Sequence, residues 1–318
     1  MTSFTFETGS EAYPVITHEL MSHGATVAPR ALACRELCDV TVRVLDASRA
    51  VPVSSGRAVR RRIGAAEYCQ LLAGVSWLRQ LDDASHGNFA QFANEKRLRG
   101  AYGPRVHGQL PDAAAKLQAD PDSRQAVVAI HRGVSADAVS GQRDVPCTVA
   151  LQFRIRGGTL GLTVMMRSSD AWLGIPYDWW MFSRLQMTMA WALGVPAGGF
   201  TFFAGSLHLY EKDVPEAGML RQPRDETAQP PALVCNYAFG KTNAAERIKD
   251  AQGLAERLVL GGGISPARDA AAAWYQEYLP VPEGSFCVCA SCRYIRGAGE
   301  TCRCPGGTGE EEKEERKR

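Results

Sequence analysis

The chain has 318 residues, 45% of them hydrophobic and 22% charged, enough for one large domain or two small ones around a well-buried core. Its 36 basic and 34 acidic residues leave a formal charge of +2. No global field therefore favours nucleic acid or a membrane surface, and any anion site has to be local. No apolar run reaches the length of about 18 residues needed to cross a bilayer, and the first residues lack a basic segment followed by an apolar one; a soluble, cytoplasmic protein is expected.

In chain order, Glu11 to Gly24 has the spacing of a short helix and Asp39 to Leu45 alternates as a strand does, with a polar loop between them. Arg60 to Leu81 carries Ile63, Ala66, Tyr68, Leu71, Leu72, Trp77 and Leu78 at helical spacing, broken by Gly74. A buried helix, a turn and a second helix are predicted there, with Glu67 inside the apolar stretch. Pro111 to Leu117 reads as a helix and Pro121 to Gln125 as the start of the next, while Gln125 to Ile130 is a candidate buried strand. Cys147 to Ile155 and Thr159 to Met166 form two strands about the turn Arg156-Gly157-Gly158. Trp179 to Leu193 is apolar on nearly every side, which marks a central buried helix ending at Gly194-Val195-Pro196. Phe200 to Tyr210 is again strand-like, Gln222 to Pro231 is Pro-rich, Asp250 to Leu260 is amphipathic, and the chain from Pro305 onward is expected to be disordered.

Taken alone, Cys147 in Asp144-Val145-Pro146-Cys147 is more readily a structural thiol than a reactive one. Its company changes the weighting. Arg124, Arg167-Ser168-Ser169-Asp170, Leu173-Gly174-Ile175-Pro176-Tyr177-Asp178 and His208-Leu209-Tyr210 are suited to hold a phosphate, a sugar and a polar ring around a thiol.

These segments, with Asp120-Pro121-Asp122-Ser123-Arg124, Gln152-Phe153 and Gly205, resemble the ordered motifs of thymidylate synthases over roughly 60% of the chain, from Gly24 to Asp213. The resemblance implies an α+β fold in which helices pack on a large twisted mixed sheet and two subunits pair sheet against sheet. A catalytic domain of residues 1–280 is expected, leaving 281–318 as a Cys-rich, charged tail. The resemblance also implies the chemistry: addition of the Cys147 thiolate to C6 of a pyrimidine nucleotide, and capture at C5 of the one-carbon unit of 5,10-methylenetetrahydrofolate. By the same resemblance Glu67 organises water and proton transfer. Arg30, Arg167 and Ser168 hold the phosphate, with Arg124 reaching into the site of the other subunit of a homodimer. His208 and Tyr210 bind the sugar hydroxyl, Tyr102 lies on the nucleotide side, and Asp170, Leu173, Gly174 and Tyr177 form the pterin wall. A thiol attacks only as thiolate, and Arg167 is the cation expected to favour that form.

Several positions depart from the pattern. Gln125 stands where a second arginine is usual, Thr148 where histidine follows the nucleophile, Ser206 where an aspartate precedes the His-x-Tyr pair, and Phe89 and Phe92 where tryptophans are usual. Most informative is Asp178, in place of the asparagine that reads a uracil edge. Cytosine offers an acceptor at N3 and a donor at N4, which a carboxyl carrying a proton satisfies at both atoms. Asp178 therefore points to cytosine and resembles the cytidylate hydroxymethylases, in which water completes the reaction where a synthase uses hydride. The Arg-, Ala- and Gly-rich composition is closer to the hydroxymethylases of nucleoside-antibiotic pathways, so CMP is expected ahead of dCMP.

Five of the ten cysteines are scattered over the first 235 residues and five crowd between 287 and 304, unlike a secreted disulfide framework. The spacing of Cys287, Cys289, Cys292, Cys302 and Cys304 permits zinc but is no standard zinc pattern, and no metal is assigned to the catalytic site.

Overall fold

The computed structural model describes residues 2–85, 87, 89–93, 97–138, 143–222, 229–234, 243–260, 275, 277 and 279, and the backbone of 287–288 and 295–296. The chain divides into units of residues 1–280 and 281–318. In the first, the elements are β1 (Thr2–Phe6), α1 (Gly9–His23), β2 (Ala25–Val27), β3 (Cys34–Val44), α2 (Arg61–Ala73), α3 (Leu78–Ser85), α4 (Gly103–Val106), α5 (Gln109–Ala119), β4 (Val127–Ala129), α6 (Val134–Asp137), β5 (Thr148–Arg156), β6 (Thr159–Met166), β7 (Ser169–Asp170), α7 (Ile175–Leu193), β8 (Ala197–Tyr210), α8 (Val214–Ala217) and α9 (Ala244–Val259). In the second, Cys287–Val288 pairs antiparallel with Ile295–Arg296; the metal-binding question raised by its cysteines lies outside the described residues.

One mixed eight-stranded sheet runs β1-β3-β8-β6-β5-β4, with β2 added to β3 and β7 to β8. The β1–β3, β6–β8 and β7–β8 pairs are parallel and the rest antiparallel. Alternation along the strands sends Val40, Val42, Val164, Phe153, Phe200 and Phe202 into the core. There the Trp179 ring of α7 meets Phe200 and Phe202 edge-on, at 6.1 and 5.8 Å between centroids. As its composition predicts, α7 is buried nearly all round.

The β5–β6 hairpin turns where expected, with Gly157 and Gly158 both at positive φ (56° and 75°); a two-residue turn of this kind matches the twist of its strands only in that left-handed region. Gly74 at φ 72° caps α2 and separates it from α3.

Three expectations need correction. Pro121 to Gln125 does not start a helix: Asp120 Oδ1 and Ser123 Oγ accept backbone N–H groups two residues on, at 3.0 and 3.2 Å, so local side chains close a turn instead. The run from Gln125 to Ile130 is not a wholly buried strand, because β4 is the sheet edge and Val127 is 47% exposed. The loop after α1 contains β2 and a turn of 3₁₀ helix at Pro29–Ala31. The sequence reading also missed β1, whose Ser3/Thr5 and Phe4/Phe6 alternate over only five residues.

Candidate active site

A row of irregularities crosses the sheet at one level. The β3–β8 register skips Asp39 and Gly205, with Asp39 at φ 54°. β6 gives way to β7 at Arg167 and Ser168, and the β5–β6 register shifts between Thr148 and Ala150. Along β8 the core-facing positions change from Phe200, Phe202 and Ala204 to Leu207 and Leu209. That change of phase turns Ser206, His208 and Tyr210 to the other, half-buried side. The functional side chains gather around this break.

Cys147 ends the loop leading into β5. Arg167 is tied to it: the backbone N–H of Arg167 donates to the Cys147 carbonyl (2.9 Å), Nε to the Pro146 carbonyl (2.9 Å), and Nη2 to the Val145 carbonyl (3.1 Å), with Nη2 also 3.7 Å from the Cys147 sulfur. Burial pushes the thiol above its usual range. Arg167 opposes that, while Asp178, Asp144 and Asp170 reinforce it. The expected sign of the arginine is right, yet burial outweighs it, and the free protein holds Cys147 chiefly as the thiol.

Two further acids share this surrounding. Burial, and secondarily the charge of Asp170, raises Asp178 to about 7; burial and Asp178 raise Glu67 to about 8. Glu67 Oε2 is buried without a hydrogen-bond partner among the described residues, an arrangement that costs about 1–3 kcal/mol, and more if the carboxyl is ionised, until a ligand meets it. Gly174, at the N-terminal end of α7, permits the approach to Asp178: a Cβ built there would lie 3.2 Å from Asp178 Oδ2 and 2.9 Å from the Asp170 carbonyl. Tyr102 stays a neutral phenol, held so by burial, and its oxygen accepts the Thr148 N–H at 3.3 Å. Thr148, in place of histidine, turns its hydroxyl to the Met166 sulfur.

On the sugar side, Ser168 Oγ lies 3.4 Å from His208 Nδ1, and the rings of His208 and Tyr210 meet edge to face at 5.2 Å. Burial lowers His208, Asp170 and Glu36 raise it, and the charge of Arg30 lowers it, so Arg30 is in the electrostatic neighbourhood of this pair. Arg30 and Ala31 both adopt positive φ (56° and 62°), at about 1–2 kcal/mol per residue. Such strain gathers where a loop presents a side chain to a ligand.

Asp170, Leu173, Gly174 and Tyr177, the residues expected at a pterin wall, lie between β7 and the first turn of α7. Asp170 Oδ1 accepts the N–H groups of Trp172 (2.7 Å) and Leu173 (2.9 Å), leaving its other oxygen for a ligand. Leu173 is 52% exposed, and Tyr177 Oη accepts the Arg60 N–H at 3.2 Å. An aromatic pterin with donors along one edge fits this set, an exposed apolar side chain beside a carboxylate. Arg124 is not brought to this chain's own site. It is exposed in the turn before β4, and its carbonyl is bonded to Gln152, five positions along β5 from Cys147, or about 17 Å at strand rise.

Two features went unread in the sequence. The Arg57 guanidinium stacks 4.3 Å over the Trp172 ring, and Ser206, where an aspartate is usual, donates its hydroxyl to Glu36 across the β3–β8 pair. Trp172 lies between the Arg167–Asp170 and Leu173–Asp178 segments and could have been noticed; nothing local marks Arg57 or Glu36.

The family model described as Thymidylate synthase matches residues 11–251. A deoxyuridylate hydroxymethyltransferase of Bacillus phage SP01 is 30% identical over 230 residues, which is 67% of this chain and 60% of the phage protein. The match thus spans less than two thirds of that relative's length. Among the described residues no helix is long and apolar enough to cross a membrane.

Proposed function

The chain belongs to the thymidylate synthase family, and from that premise we propose that it is a folate-dependent hydroxymethyltransferase acting on a cytosine nucleotide, CMP ahead of dCMP, as a cytoplasmic homodimer. Cys147 gives up its proton and adds to C6 of the ring, which makes C5 nucleophilic. When bound, 5,10-methylenetetrahydrofolate supplies the one-carbon unit that C5 captures. Loss of the C5 proton, addition of water to the new carbon and departure of Cys147 from C6 give the 5-hydroxymethyl nucleotide and tetrahydrofolate. Arg30, Arg167 and Ser168 take the phosphate, with Arg124 supplied across the dimer. His208 and Tyr210 take the sugar hydroxyl, Tyr102 lines the nucleotide side, and Asp170, Leu173, Gly174 and Tyr177 receive the pterin.

The observation that carries this reading is Asp178, a carboxyl held near pKa 7 beside Glu67. In its acid form Asp178 donates to cytosine N3 and accepts from N4, while Glu67, also an acid at neutral pH, can pass protons to and from the attacking water.

A second reading has its own support. The acid form of Asp178 can reverse its donor and acceptor and serve uracil, and the phage relative is described as acting on deoxyuridylate. Incubating the protein with methylenetetrahydrofolate and, separately, CMP, dCMP, UMP and dUMP, then weighing the products, tests both. A hydroxymethyl increment on cytosine nucleotides with tetrahydrofolate released supports the first. The same increment confined to uracil nucleotides transfers the assignment to the second, and a methyl increment with dihydrofolate refutes both.

A further inference from the structure

Away from the residues that match the family pattern, a buried polar network ends at the loop carrying the nucleophile. Arg105 is 6% exposed and Asp137 is 3% exposed at the side chain. Two parallel bonds join them, Nη1 to Oδ2 (2.9 Å) and Nη2 to Oδ1 (2.8 Å). The guanidinium also donates to two carbonyls, Ile130 (2.8 Å) and Arg99 (3.1 Å). The Arg99 carbonyl and the Gly100 N–H belong to one peptide group, and that N–H donates to Asp144 Oδ2 at 2.6 Å. The peptide dipole therefore lies between a cation on its oxygen side and a carboxylate on its nitrogen side, an arrangement in which each bond polarises the next.

Asp144 is three residues before Cys147. The carbonyls of Val145 and Pro146, between them, are the acceptors that hold the Arg167 guanidinium beside the sulfur. Two residues beyond Gly100, Tyr102 receives the N–H of Thr148, immediately after Cys147. The nucleophile is thus fastened on both sides to one short segment, residues 100–102, and Arg105 anchors that segment.

We infer that Asp144 is a positioning residue for Cys147: its peptide-relayed pairing with Arg105 fixes the loop whose carbonyls aim Arg167 at the thiol. The inference rests on Cys147 being the nucleophile of the proposed reaction.

Two substitutions separate the tether from the charge. Asp144→Asn and Asp144→Ala remove the same negative charge, but only asparagine keeps an oxygen for the Gly100 N–H. Cys147 is alkylated with iodoacetamide in the full chain from about pH 6 to about pH 10, and the modified peptide is quantified by mass spectrometry. The other groups acting on the thiol, Arg167, Asp178 and Asp170, are unchanged in both variants. The Asn midpoint should fall below that of the wild type, and the Ala midpoint should lie above the Asn midpoint because Arg167 is no longer held. Turnover follows the same order. Asn stays within about threefold of wild type and Ala loses about ten- to a hundredfold in kcat with little change in nucleotide KM, the scale expected of small misplacements at a reacting centre.

Equal midpoints and equal kcat in Asn and Ala overturn the inference, as does an Ala variant that matches the wild type in kcat. If Ala does not fold, amide exchange at Gly100 in the wild type decides: a protected amide upholds the tether, and exchange at the rate of an open loop removes it. Alkylation needs no substrate, so failure of the proposed hydroxymethylation would leave this readout intact and the two failures distinct.

Discussion

Replacing Asp178 by asparagine should move base preference from cytosine to uracil. On the proposed reading, the acid form of Asp178 donates to N3 and accepts from N4 of cytosine. An asparagine amide held in the orientation that reads a uracil edge accepts from N3–H and donates to O4, and in that orientation it mispairs with both N3 and N4 of cytosine. A wrong base therefore leaves up to two mispaired groups in a buried site. At about 1–3 kcal/mol each, this amounts to about 2–6 kcal/mol, or roughly 30-fold to more than 10⁴-fold in the ratio of kcat/KM values for cytosine over uracil. The assay is product formation by mass spectrometry with CMP, dCMP, UMP and dUMP over about pH 6 to 9. A cytosine-to-uracil ratio that Asp178→Asn leaves unchanged would refute the role given to Asp178.

Three other outcomes follow from the same geometry. Glu67→Gln should lower kcat by about 10²–10⁴-fold yet raise the melting temperature at about pH 8 and not at about pH 4. The folded pKa of about 8 exceeds the unfolded value of 4.5, so stability is withdrawn as pH climbs between them; equal melting shifts at both pH values would count against it. Asp137, held at about 2 chiefly by its hydrogen bonds from Arg105, has the opposite sign: its contribution is present above the unfolded value of 3.8 and disappears as pH falls toward 2. Asp137→Ala should cost about 3–5 kcal/mol at neutral pH, and an unchanged urea midpoint would contradict the buried pair. Arg167→Gln should raise the alkylation midpoint of Cys147, since Arg167 is the group that lowers it; a lowered midpoint would show that the cation does not act on the sulfur.

Much of the fold is written in local pattern. The Arg156-Gly157-Gly158 turn and the all-apolar α7 are legible because a left-handed pair and an uninterrupted hydrophobic surface each have few alternatives. The errors fall where tertiary position decides. Val127 is as apolar as its buried neighbour Val128, but the strand alternates and Val127 points to the face that nothing in the described residues covers. Pro121 is a good helix starter, but Asp120 and Ser123 bind the backbone first. At the site, the identities of Cys147, Arg167, His208 and Tyr210 were legible through the family pattern. The net displacement of the thiol was not, because it sums burial with carboxylates at positions 144, 170 and 178. These approach Cys147 only after the strands have paired. Asp144 shows the same limit, since its partner peptide lies 44 residues earlier in the chain.

The raised thiol and the raised acids belong to one problem. A thiolate must form beside several carboxyls and a phosphate dianion that competes for Arg167, so the proton released by Cys147 needs a nearby acceptor. Thr148 cannot serve as one, since its hydroxyl is buried against Met166. Asp178 can, because near pH 7 about half of it is ionised. Transfer from a thiol raised by burial to an acid at about 7 is uphill, a cost borne within the barriers such reactions retain on an enzyme. The transfer also leaves Asp178 in the acid form that cytosine requires. Activation of the nucleophile and recognition of the base would then be one protonation event. On that account Asp178→Asn should slow adduct formation at Cys147 even with the uracil nucleotide it binds better. Trapping the Cys147–nucleotide adduct by rapid quench would expose the reverse: an adduct rate equal to or above wild type with uracil would mean that the thiol loses its proton by another route.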